Sequence, residues 1–212
     1  MGLDITVVMA DWAQLARIPA DERLEALTDT VCPPFCCERC EEADYAVKDG
    51  WVWWPRESPW CAEYRFFGTT GSYSWHFRLT NAWEDVRPFA APELREALDC
   101  FLIGLMWDGP WDPTATEPDD DYAAAGGFPD DPTPWRPHAL VLRAPDEVPP
   151  LLRAWEVAAP RLEELRGAFD AEASRWAGRP ANFDAAVALL HEWGEVVTQA
   201  AARGWGVIGL PY

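Results

Sequence analysis

The apolar residues of this chain change their period along its length, and that change limits the folds open to it. At the start, Leu3, Ile5, Val7 and Met9 alternate with Asp4, Thr6 and Val8, the period-two pattern of a strand with one face buried. Near the end, Phe183, Val187, Leu190, Val197 and Ala201 form a helical stripe that Asn182 can cap and Gly204 can close, and residues 205–210 follow as a strand. Between these ends, 51–54, 62–67 and 139–143 carry strand signals. Segment 62–67 leads through Gly68-Thr69-Thr70-Gly71 into 72–79, which predicts a central hairpin.

Helical spacing fills the remainder. Asp11 can cap a short helix ending at Ile18, and a second after Pro19 carries Leu24, Leu27 and Val31 on one side. A short helix is expected over 82–89, then a longer one opened by Pro92, a residue suited to a first helical turn. Its second half, 100–107, is apolar all round, which predicts one fully buried helix with Cys100 in the core. Pro145-Asp146-Glu147 begins a further helix, and Pro160 begins a stretch with Leu162, Leu165, Phe169, Ala173 and Trp176 on one face. With 49% hydrophobic residues, a chain of 212 can bury one full core. The expected fold is a single α+β domain over 1–212, a mixed sheet packed against several helices. Two segments interrupt it: a cysteine-cluster insertion at 32–40 and a long acidic loop rich in Pro and Gly at 108–137.

The stretch Ala-Leu-Val-Leu-Arg, the Pro-Asp-Glu-Val that opens a helix, and the run from Asn182 to Leu210 together resemble the YfbM-like family of uncharacterised bacterial proteins. The likeness covers roughly the last third of the chain. It implies an α+β fold and brings no catalytic residues with it. The cysteine cluster is not part of that family pattern.

Charge narrows the partners. The net charge is −19, and Lys48 is the one lysine. Such a surface repels phosphate backbones and anionic membranes, so neither nucleic acid nor a membrane is expected as a partner. A basic protein would be steered toward it. No apolar run approaches the ~18 residues that span a bilayer. The start lacks a basic run and carries Asp4, unlike a signal peptide, so a cytoplasmic protein is expected. Among fourteen tryptophans, Trp60, Trp111 and Trp135 fall in loops, where a half-exposed indole can anchor a partner.

Two constellations could carry chemistry. Cys32, Cys36, Cys37 and Cys40 lie within nine residues, and thiolates are the soft ligands that zinc prefers. Four cysteines leave no open coordination position, so such a site would be structural; Cys61 is a possible substitute ligand. Incidental thiols in a surface loop are the plainer alternative. The second constellation is the polar face of the predicted hairpin, where Glu63, Arg65, His76 and Arg78 would cluster to hold an anionic ligand or a partner carboxylate. Cross-strand ion pairs on a solvated sheet are its plainer alternative. His191 is expected to pair with Glu195 on a helix surface.

No nucleophile elbow, paired metal-binding histidines, phosphate loop or dinucleotide fingerprint appears, which points away from an enzyme. The expected function is an acidic cytoplasmic protein that binds a protein partner, in the manner of an immunity protein or antitoxin. A structural zinc protein is the alternative, and a small-molecule binder or enzyme using the hairpin face is the third reading.

Overall fold

The computed structural model describes residues 5–30, 47–48, 50–53, 60–66, 73–107, 109, 127–128, 130–131, 139–173 and 182–211. Strand β1 (Ile5–Ala10) is central in its sheet, with β2 (Val47–Lys48), β3 (Trp51–Trp53) and β4 (Cys61–Tyr64) to one side. On the other side are β6 (Gly206–Pro211) and, at the edge, β5 (Val141–Arg143). The order is β2-β3-β4-β1-β6-β5, and every pairing is antiparallel. The α+β class therefore stands as a single domain, with an antiparallel sheet in place of a mixed one. Both chain-end strands lie side by side in the middle, Val7 opposite Gly209. Gly50, at a φ of 85° that only glycine takes without strain, turns the chain from β2 into β3.

The sheet is covered on both faces. Val7 and Met9 of β1 enter the larger core, and Val8 and Ala10 enter a smaller one behind it. The consecutive run Val7-Val8-Met9-Ala10 is the mark of such a strand, so the one-sided burial read from alternation is corrected here. The smaller layer holds α1 (Trp12–Leu15) and α2 (Arg23–Thr30), which contribute Leu15 and Leu27. Asp11 caps α1 as expected, its Oδ1 accepting from the Ala13 and Gln14 amides.

The larger layer contains α3 (Tyr73–Val86), α4 (Pro92–Leu105), α5 (Val148–Ala158), α6 (Arg166–Ala173) and α7 (Phe183–Arg203). Short 3-10 turns at Arg87–Phe89 and Ala159–Leu165 join neighbours. The predicted hairpin is corrected: 73–79 opens a helix. The buried residues His76, Leu79, Thr80, Trp83 and Val86 recur every three or four positions, a stripe that continues without a break past 80. That continuity outweighs the local alternation of aromatic residues.

Helix α4 is also not the fully buried element expected. Phe101, Leu102 and Leu105 are buried, but Ile103 is 44% exposed and Cys100 faces solvent. An apolar composition all round does not bury a helix whose outer side stays partly open to solvent. Helix α7 follows the sequence closely. Asn182 Oδ1 accepts from the Ala185 amide, and Gly204, at φ 66°, closes the last turn onto the Ala200 and Ala201 carbonyls. An apolar void of about 30 Å³ lies among Leu79, Val86, Leu98, Phe169, Phe183 and Leu190. It is near the size of one water and offers it no polar partner, so it is a packing gap.

Candidate functional site

The structure divides the four residues expected on one polar face. Glu63 lies on β4 and Arg65 just beyond it, two positions apart, so they share a side. Arg65 Nε donates to Glu63 Oε1 at 3.1 Å. Cys61 precedes them on that side, in the smaller core. Burial holds the Glu63 carboxyl above its usual range, and the bond from Arg65 offsets only part of that rise. Glu63 Oε2 is buried and has no hydrogen-bond partner among the described residues.

His76 stands on the opposite face. Its ring meets Phe66 edge-on at 5.2 Å and Trp193 at 5.7 Å, in the larger core, and it is fully buried. Arg78, two residues on in α3, is half-buried. The structure thus brings Glu63 and Arg65 together and keeps His76 from them, because α3 lies across the sheet rather than extending it.

Around His76, sequence reading missed a wall of rings and carboxylates. Trp51 and Tyr64 are cross-strand partners with ring centroids 4.9 Å apart, and Tyr64 meets Phe66 at 5.1 Å. Trp51 Nε1 donates to Glu195 Oε1 at 3.3 Å. Glu195 therefore serves Trp51, while exposed His191 packs edge-on against Trp155 at 5.1 Å. Burial pushes the Tyr64 hydroxyl up, with the Glu192 and Glu195 charges adding to the effect. A phenol held neutral and a buried imidazole thus lie in the layer of rings against which α7 packs.

The cysteine cluster at 32–40 lies outside the described residues, as do His138, Trp111 and Trp135 and most of the 108–137 loop. Burial pushes the Cys61 thiol up to about 12, so at neutral pH it is a protonated apolar group. Among the described residues, no three of His, Cys, Asp and Glu are grouped as metal ligands.

Two carboxylates of the acidic loop are used internally. Arg23 Nη1 donates to Asp130 Oδ1 at 2.7 Å and Asp131 Oδ1 at 2.8 Å, and Nη2 donates to Asp130 Oδ2 at 3.1 Å. Arg23 Nε reaches the Ile18 and Leu15 carbonyls at 3.2 and 3.3 Å. The guanidinium lies 4.3 Å from the centroid of the Phe128 ring, which also stacks on Trp12 at 5.5 Å. No local spacing signals these contacts, because the partners are more than 100 positions apart.

Turning Arg23 inward leaves the outer side of α2 without a cation. Asp21, Glu22, Glu25 and Asp29 are all exposed, and none meets a cation among the described residues. Elsewhere arginines are bound to the chain's own acids. Arg87 grips Asp99 through Nε and Nη2, and Asp99 also accepts from Trp83 Nε1 at 2.9 Å. Arg161 bridges Glu93 and Glu164, and Arg166 bridges Glu163 and Asp184. No helix among the described residues is long and apolar enough to cross a membrane. No family model, curated protein or solved structure matches the chain.

Proposed function

We propose that the chain is an acidic cytoplasmic binding protein whose partner is a basic protein, acting as an immunity or antitoxin-like inhibitor. The observation that supports this most is the outer side of α2. Asp21 and Glu22 just before the helix and Glu25 and Asp29 on it are exposed within nine residues, while the one cation of the stretch is buried against Asp130 and Asp131. Internal pairing of arginines leaves the excess of acid, −19 overall, to the solvent. Such a field raises the rate of encounter with a positive surface and discourages wrong partners. The likeness of the last third to the YfbM-like family is part of this reading and adds no residue role to it.

The variant Glu22→Gln/Glu25→Gln/Asp29→Asn tests the reading. Removing these exposed charges should change stability by no more than about 0.5 kcal/mol. Association with the partner should slow several-fold in stopped-flow mixing, with a smaller change in dissociation. An unchanged association rate counts against the α2 side as the steering surface.

A structural zinc held by Cys32, Cys36, Cys37 and Cys40 is a separate proposal, supported by the spacing of the thiols alone. Protein purified without added metal should then carry about one zinc per chain, and its cluster thiols should react only after chelation. Metal-free protein with freely titrating thiols would remove this proposal and leave the first intact. A ligand face shared by Glu63, Arg65, His76 and Arg78 is not proposed, since α3 sets His76 behind the sheet.

A further inference from the structure

Residues 127, 128, 130 and 131 meet the smaller layer as a ligand meets a receptor. The Phe128 ring stacks on the Trp12 indole and lies against the Arg23 guanidinium. Trp12 Nε1 donates to the Gly127 carbonyl at 3.3 Å, from a residue 115 positions away. Behind the ring, Arg23 is fixed by the Leu15 and Ile18 carbonyls, so its fork points outward at the Asp130 and Asp131 carboxylates. Arg23 is 4% exposed although it is a charged residue, which shows how closely the segment covers it. The segment is also self-shaped: the Phe128 amide donates to Asp131 Oδ2 at 2.7 Å, and the Asp131 amide donates to the Phe128 carbonyl at 3.2 Å.

We propose that Trp12, Arg23 and the Leu15 and Ile18 carbonyls form a recognition slot for a short peptide of the pattern aromatic-x-Asp-Asp. In this structure residues 127, 128, 130 and 131 fill the slot in cis, and the same pattern fills it in trans once they are displaced. The chemistry supports a sequence-reading site rather than a general contact. An indole and a guanidinium both contact one ring, a fork engages two carboxylates at fixed offsets, and one indole N–H reads the backbone. A tethered segment reaches an effective concentration in the millimolar range, so the closed form dominates until the tethered copy is weakened or outcompeted. The slot shares Arg23 with the acidic stretch of the proposed function, but its occupant is an acidic peptide rather than the basic partner proposed there.

The experiment uses the full chain with Phe128→Ala/Asp131→Ala, which empties the slot. A fluorescein-labelled peptide, Gly-Phe-Pro-Asp-Asp, is titrated into it and followed by anisotropy. The emptied variant binds the peptide saturably, and the wild-type chain binds it at least about tenfold more weakly because its own segment competes. Adding Arg23→Lys, which keeps the charge and loses the fork, weakens binding by about tenfold or more. Absence of saturable binding to the emptied variant, or binding that Arg23→Lys leaves unchanged, overturns the proposal. Should the double variant not fold, Asp131→Asn alone loosens the segment. Unlabelled peptide then raises the Tm of Asp131→Asn and not that of Asp131→Asn/Arg23→Lys, and equal behaviour of the two overturns the proposal.

Discussion

Gly194→Ala is expected to destabilise the fold by about 2–3 kcal/mol, the range for forcing extra volume into a packed interior. Helix propensity alone argues the other way, since alanine is favoured over glycine inside a helix by about 1 kcal/mol. Packing decides the sign. A Cβ on Gly194 would overlap the Trp155 ring, with Cζ2 at 2.5 Å and Cε2 and Nε1 nearer still. The indole cannot swing away, because it stacks on Phe101 at 5.1 Å, meets His191 edge-on at 5.1 Å and is only 8% exposed. Either α7 or α5 must move off the other. Urea unfolding followed by far-UV circular dichroism reads the change as a lower midpoint with an unchanged slope. Equal or greater stability would show that Trp155 does not pack flat on α7.

Arg23→Met should cost about 3 kcal/mol, the low end for breaking a buried pair, since Asp130 remains open to water. Methionine fills the space of the stem but leaves the Asp131 carboxylate, 1% exposed, without its cation. It also leaves the Leu15 and Ile18 carbonyls without their donor. Adding Asp131→Asn in that background should recover part of the loss, because an uncharged amide is cheaper to bury. Acid should act on the same contact. The bond from Arg23 holds the Asp130 carboxyl below its usual 3.8. A depressed carboxyl binds fewer protons folded than unfolded, so its contribution is present above pH 3.8 and is lost as pH falls through the folded value. The stability gap between wild type and Asp130→Asn should therefore close in acid. A gap that widened would contradict the contact.

Elements whose signals are local were legible in the sequence. Asp11 and Asn182 cap helices through side-chain oxygens two or three residues from the amides they bind, and Gly204 closes α7 by its own backbone. Segment 73–86 was not legible because two periods overlap in it. Tyr73, Trp75 and Phe77 alternate, while His76, Leu79, Trp83 and Val86 follow a helical turn that runs on past residue 80, and His76 packs against Phe66 and Trp193 in that second arrangement. The candidate site inherited that error, since Glu63 and His76 share a face only if 72–79 is a strand. Cys100 was misplaced because composition records how apolar a helix is, and not how many neighbours surround it. Arg23 gave no signal at all, for its carboxylates come from the far end of a long loop.

The most direct test of the proposed role is calorimetric titration of the captured partner at about 0.05 M and about 0.5 M salt, which shortens the screening length several-fold. If the acidic surface carries recognition, the partner is basic and its Kd rises steeply with salt. A partner that is itself acidic, or a Kd that stays constant across that range, contradicts the account.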